Sequence, residues 1–395
     1  MASRGFNRSR KGCDHMLASV TIGMFASITL AFGLLLSFTP YLMPRNECFA
    51  VTVPASGQKD PVLVSLKKRY AVIMTSLTVA STVVATVAGA FVIQGSEEPE
   101  TGTFYVGIIL ETGAVLIPIV ASFILMLVNR HRVAEIKKER GWVAVSHQMT
   151  AIIVEEDIPR AIPFAWSLLY IPIIFGTIAL GLVLYPYMPD MLPMHADFTG
   201  NVDRWEPKTL GSGIGFPVVF EIFMVACFVF CHWMILRSKH PLNPKSPATS
   251  AVAYGLFARA QSIFLLATGI LLCGGIGVLF LLSSAGFIEL AQAGVVIIVL
   301  CVPVVIGSIV LSLVYGQAGS RVFKRMQEDE GLIVDDDDHW KLGVFYFNSD
   351  DASLFLPERF GFGWTINLAR PAAWAFILGG FAITVGFIVV VAFLV

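Results

Sequence analysis

Ala293–Tyr315 reads AGVVIIVLCVPVVIGSIVLSLVY, without a charged side chain from end to end. At a rise of about 1.5 Å per residue, a helix of this length covers the roughly 30 Å apolar thickness of a bilayer. Inside lipid every backbone N–H and C=O needs an internal partner, so such a run has to be helical. The same pattern recurs at Met16–Thr39, Tyr70–Ile93, Thr103–Val128, Phe164–Leu184, Ile214–Leu236, Val252–Leu282 and Pro371–Val395, predicting eight spans in all. The expected fold class is therefore an all-α polytopic membrane protein, with about eight transmembrane helices and a small β-rich module.

Composition agrees. Of 395 residues, 56% are hydrophobic and only 14% charged, where a soluble domain averages about 25%. The solvent implied is a lipid bilayer. A net charge of −1 lacks the basic excess of a nucleic-acid binder. Cys13, Cys48, Cys227, Cys231, Cys273 and Cys301 are scattered, four of them inside apolar runs, and predict neither a disulfide framework nor a redox site. Residues 1–15 mimic a signal peptide, yet Met16–Thr39 is too long for its apolar segment and no small-residue cleavage site follows. A membrane domain over 1–315, a linker and β-rich module over 316–370 and a last helix over 371–395 are expected.

Between the fourth and fifth spans, within 186–211, lies a polar island, Pro193–Lys208, PMHADFTGNVDRWEPK. Pro186, Pro189 and Pro193 stiffen its approach, and Gly200 with Asn201 marks a turn. Such a loop can hold charged groups in fixed positions. The candidate binding residues are Pro193, His195, Asp197, Gly200, Asp203, Trp205 and Lys208. Three readings stay open: a rigid interfacial loop with Trp205 at headgroup depth, a recognition surface for an external ligand, or a metal site. For the last, His195 and Asp197 are suitable ligand types, but their spacing matches no closed zinc motif and no cysteine is near. No cofactor is called for by any motif.

The pattern of proline, His195, Gly200, Asp203, Trp205 and Lys208 between two spans resembles the signature loop of SdpI-type membrane proteins. These include bacterial immunity proteins that act against a secreted antimicrobial peptide. The resemblance is strongest over Phe164–Leu236. Trp340–Trp374, WKLGVFYFNSDDASLFLPERFGFGWTINLARPAAW, is similar to a soluble module downstream of that loop in larger relatives. Arg45–Pro54, RNECFAVTVP, resembles their first loop, where glycine commonly follows the phenylalanine; here Ala50 stands there. The resemblance implies a bacterial cell-membrane protein that senses or neutralises a peptide.

Orientation follows lysine and arginine. One set of connectors carries Arg45, Lys59 and Lys67–Arg69, then Arg130–Arg140 and Arg160, then Arg237, Lys239 and Lys245, then Arg321–Arg370; the opposite set carries Arg204 and Lys208. The basic connectors are expected in the cytoplasm, with both termini and the His195 loop outside. Arg4, Arg8, Arg10 and Lys11 pull the other way, and were they to prevail every assignment would invert.

On the basic side, Asn129–Gly141 directly follows the third span; ordinary positive-inside bias is the favoured reading, and a helix continued along the headgroups with Trp142 as an anchor is the alternative. Met149–Val154 has the character of a short strand. Asp335–Asp338 lacks the alternating spacing of a calcium loop and reads as a solvated acidic linker. Val344–Phe347 and Ser353–Leu356, separated by turn residues, predict a β-hairpin, with Cys48–Val53 as a partner strand.

Charged groups inside spans are costly and are functional candidates by default. Glu111 and Glu221 fall in the third and fifth spans, and His232 near the end of the fifth. The leading expectation is a non-enzymatic protein recognising a cationic or amphipathic peptide through the acidic loop, with a cytoplasmic protein partner at the β-rich module. The alternatives are an ion- or proton-coupled transporter using Glu111 and Glu221, and a metal-dependent membrane hydrolase using His195, Asp197 and Asp203. The hydrolase lacks any paired catalytic signature.

Overall fold

The computed structural model describes residues 2–44, 46–97, 102–143, 158–197, 201–240, 243, 246–326, 335–360 and 363–394. Met149–Val154, the expected short strand, lies outside them. Among the described residues, eight helices are long and apolar enough to cross a bilayer. They are α1 (Ala2–Leu42), α2 (Pro61–Glu97), α3 (Thr103–Glu139), α4 (Tyr170–Leu184), α5 (Phe216–Arg237), α6 (Pro247–Ser284), α7 (Leu290–Tyr315) and α9 (Pro371–Leu394). The short α8 (Ser320–Met326) follows α7. The protein is a helical integral membrane protein, and its outward surface is correspondingly apolar, with Phe381 and Phe393 among many exposed large side chains.

Several helices outrun the apolar segments that announced them. α2 begins at Pro61, whose missing N–H costs nothing in a first turn, and the Asp60 carboxylate accepts from the Val62 amide at 2.8 Å. Lys67–Arg69 therefore ride on the helix instead of the connector. α3 runs on through the basic segment to Glu139, the alternative reading of that segment, but Arg130 and Lys137 turn onto the protein. Trp142 likewise packs over Gly57 and the core beneath it.

The helices form two groups. α2 packs along both α1 and α3, around Leu63, Tyr70, Met74, Met126 and Val133. Tyr70 reaches across to Ser122, 2.7 Å away. α6 is the hub of the second group, touching α4, α5 and α7, while α9 leans on α5 through a Phe223–Phe387 stack at 4.2 Å. The apolar start of α1 and the end of α9 lie at one end of the bundle. There Leu394 of α9 touches Gly211, and Thr21 and Met24 of α1 line a cleft shared with His195.

Among the described residues, four two-stranded antiparallel sheets cap the helices: β1 (Glu47–Cys48) with β2 (Val51–Thr52), β3 (Met191–Ala196) with β4 (Val202–Pro207), β5 (Trp340–Lys341) with β6 (Phe345–Tyr346), and β7 (Phe355–Pro357) with β8 (Trp364–Ile366). The expected hairpin between 344–347 and 353–356 does not form. The reason is Asn367: its amide donates to the carbonyls of Asn348, Asp351 and Ser353, and its oxygen accepts from the Asn348 amide. The NSDDAS stretch wraps around that side chain, and the strands on either side pair elsewhere. Nor does Cys48–Val53 join those strands; it closes on itself as β1–β2. Its turn residues Phe49 and Ala50 both have positive φ, 47° and 58°, the mark of a tight two-residue hairpin turn.

What ties these pieces into one platform is a buried cation. Arg359, 3% exposed, is paired with Asp336 and Asp337, lies 3.5 Å from Glu47 and sits 5.0 Å from the Trp340 ring. Asp337 also accepts from the Thr52 amide at 3.0 Å and from Lys137 at 2.6 Å, and Asp335 takes the same lysine at 2.6 Å. The aspartate run is thus a clamp between α3, β1–β2 and the C-terminal strands, not a solvated linker. An unpaired buried guanidinium would cost too much to leave alone. A second tie joins α5: Lys239 meets Asp351 at 2.5 Å, and its amide bonds the Phe355 carbonyl at 2.8 Å.

Burial alone would raise Asp337, but Arg359 and the bonds from Lys137 and Thr52 outweigh it and hold the carboxyl at about 2. Glu47 comes off worse in the competition for Arg359: burial pushes it up to about 8. Burial likewise lifts Glu358 to about 7.

Two outcomes follow from the platform. Alanine at φ 58° is strained where glycine is not, so Ala50→Gly should raise stability by up to ~1 kcal/mol, read as a higher unfolding midpoint in detergent. Carboxyls raised on folding contribute stability present below their unfolded value and lost as pH rises through the folded one. The midpoint should therefore fall between about pH 4.5 and pH 8 in the wild type, and much less in a Glu47→Gln, Glu358→Gln double variant. Asp337 acts oppositely, its contribution disappearing only as pH drops from about 3.8 toward 2.

Candidate functional site

The polar island folds as the β3–β4 hairpin at the end of the bundle opposite the platform. Its alternation seats Leu192 fully buried against Leu184, Met188 and Leu281, which fixes the ribbon to α4 and α6. Pro193 pairs with Trp205 and His195 with Arg204, with irregular register around His195. The shift lets His195 Nδ1 reach Asp203 Oδ1 across the ribbon at 2.6 Å, both side chains exposed. Asp197 accepts from the Asn201 amide at 2.9 Å, closing the turn. Gly200 lies outside the described residues. Lys208 is spent locally: it donates to the Met188 carbonyl at 2.8 Å and lies 4.8 Å over the Tyr185 ring. Trp205 stands about half exposed at 49%.

Of the residues suggested for a metal, His195 turns its Nδ1 to Asp203. Among the described residues no three His, Cys, Asp or Glu side chains converge as a metal would require. What the hairpin does cover is a cleft of about 310 Å³. Its rim is His195 and Asp197, and its floor is apolar, formed by Met24 of α1, Phe280 of α6 and Leu290 and Ile298 of α7. The floor residues were invisible as site residues, because each looks like an ordinary member of an apolar span. Only the approach of α1 to α7 exposes them to one another.

The intramembrane candidates part company. His232 is structural: Nε2 faces the Ile162 carbonyl at 3.0 Å and Nδ1 the Ser167 hydroxyl at 2.9 Å. A carbonyl can only accept, so Nε2 carries a proton and donates to Ile162. The pair stitches the start of the fourth span to α5. Glu111 sits half-buried on α3 with one oxygen unpartnered, in the group formed with α1 and α2. Glu221 is 1% exposed in the other group, beside Gly277 of α6, where any larger side chain would crowd its carboxyl. The Thr177 hydroxyl approaches it without hydrogen-bond geometry, and neither oxygen has a partner among the described residues. The two glutamates therefore belong to different helix groups.

An unsatisfied buried carboxyl is a liability of about 1–3 kcal/mol or more. Glu221→Met, which keeps the chain length while removing both oxygens, should raise the unfolding midpoint in detergent; a fall would show that the carboxyl has a partner in the folded protein.

Comparison with known families falls on the two soluble features. A model described as a domain of unknown function (DUF1648) matches residues 173–220, which hold most of α4, the whole hairpin and the first turn of α5. A second, a family of unknown function (DUF5808), matches residues 349–374, the segment wound around Asn367 through β7 and β8 into α9. The chain matches no curated protein and no solved structure.

Proposed function

We propose that this is a multi-pass membrane protein of SdpI type that recognises a cationic, amphipathic peptide at the outer face through the β3–β4 hairpin. The observation that carries the reading is the acid-rimmed hairpin standing over an apolar cleft of about 310 Å³. Asp190, Asp197, Asp203 and Glu206 outnumber Arg204 and Lys208 along the ribbon, so its charge suits a basic ligand. Met24, Phe280 and Leu290 beneath it suit an apolar side chain of the same ligand. In this reading the hairpin and both chain ends face outward, and the Arg359 platform lies in the cytoplasm, where it offers a surface to a protein partner.

A second reading, proton- or cation-coupled transport, draws on Glu221 and its unpartnered carboxyl. It lacks a companion, since Glu111 sits in the other helix group.

The test is survival. Expression in a sensitive bacterium should raise the tolerated concentration of a cationic amphipathic peptide several-fold. A His195→Ala, Asp197→Asn variant at equal membrane abundance should return it to the control value. Equal protection by the variant would remove the hairpin from the mechanism. An absence of protection, together with proton flux in liposomes that Glu221→Gln abolishes, would favour transport instead.

A further inference from the structure

A cleft larger than the one at the hairpin occurs elsewhere. It lies at the platform end, where the last turn of α1, the start of α2 and the α7–α8 corner leave a space of about 650 Å³. Lys59, Lys67, Arg321, Lys324 and Arg325 line it, and among the described residues no carboxylate does. Two of these cations are held in place: Lys67 donates to Gln58 Oε1 at 2.5 Å and Arg321 to the Leu313 carbonyl at 2.9 Å. Lys59, Lys324 and Arg325 are exposed. At the same end Lys137, Arg140, Lys239 and Arg359 each have a carboxylate. Here, among the described residues, the cleft cations crowd together without one, an arrangement that favours an anion entering from outside.

The surroundings say which anion. Tyr41 of α1 and Leu313 of α7 form part of the cleft wall. From them an exposed apolar track, Phe38 on α1 and Ile306 and Val310 on α7, leads away along the membrane-spanning surface. A soluble phosphate would use the cations and leave the track idle. A molecule with a phosphate head and hydrocarbon tails uses both. We propose that this cleft is a binding site for an anionic phospholipid, its phosphate among Lys59, Lys324 and Arg325 and its chains along α1 and α7. The proposal is independent of what the hairpin recognises and of which way the protein faces. Basic pockets at helix ends are well suited to anionic headgroups, and each cation near the surface strengthens such binding severalfold.

Delipidated full-length protein, titrated with phosphatidylglycerol or phosphatidylcholine and followed by native mass spectrometry, tests it. Phosphatidylglycerol should bind and phosphatidylcholine should not. The Lys59→Gln, Lys324→Gln, Arg325→Gln variant alters only exposed side chains and should bind on the order of 30-fold or more weakly. A control variant, Lys138→Gln with Lys341→Gln, removes exposed charge at the same end outside the cleft and should bind like the wild type. Equal binding by the cleft variant, or equal loss in the control, overturns the site. Inorganic phosphate protecting against heat as well as the lipid does would overturn the lipid assignment and leave a soluble-anion pocket.

Discussion

A guanidinium that cannot reach water governs one end of this molecule. Arg359 is enclosed by Trp340, the β1–β2 turn and the aspartate run, and its charge must be balanced there. Removing one partner from such a buried pair typically costs about 3–5 kcal/mol, so the contacts around it stand or fall together. Because Asp337 also binds Thr52 and Lys137, the requirement reaches the first connector and the end of α3. Segments some three hundred positions apart thereby become one surface. Two-residue strands have too little ladder to hold themselves, and ion pairs supply what the strands lack.

The opposite end is built on a different principle. The β3–β4 ribbon is seated by Leu192 and by the short helical turns at 185–187 and 211–215 that frame it. Reciprocal bonds between Thr209 and Ser212 start the chain into its next span. Its charged groups bond to one another at the surface, where such pairs contribute at most about 1 kcal/mol. A ligand able to offer better partners can therefore exchange with them cheaply. A rigid platform at one end and an exchangeable polar ribbon at the other make a plausible division of labour for a protein that spans a membrane.

Between the ends, Glu221 is the anomaly. Most polar groups along the spans bond within their own helix, as Thr78 and Thr82 do one turn back. Glu221 is too long to do so and faces the gap made by Gly277. That gap lets α5 and α6 approach closely, and the carboxyl fills it without satisfying its own oxygens.

The sequence by itself determined the bilayer as solvent, eight spans and the grouping of basic connectors apart from the His195 loop. Those features depend on composition over twenty or more consecutive residues, which no later contact can reverse. It also marked the β3–β4 loop, since turn residues and close-set charges are local signals. Tertiary structure alone decided the rest. The aspartate run read as solvated because a like-charge block looks the same whether water or a distant arginine neutralises it. The strand pairing around Asn367 was hidden because one amide, far along the chain, outcompetes local β propensity. The apolar floor beneath His195 and the basic cleft at Arg325 exist only where separate helices meet, and no single stretch of sequence contains either one.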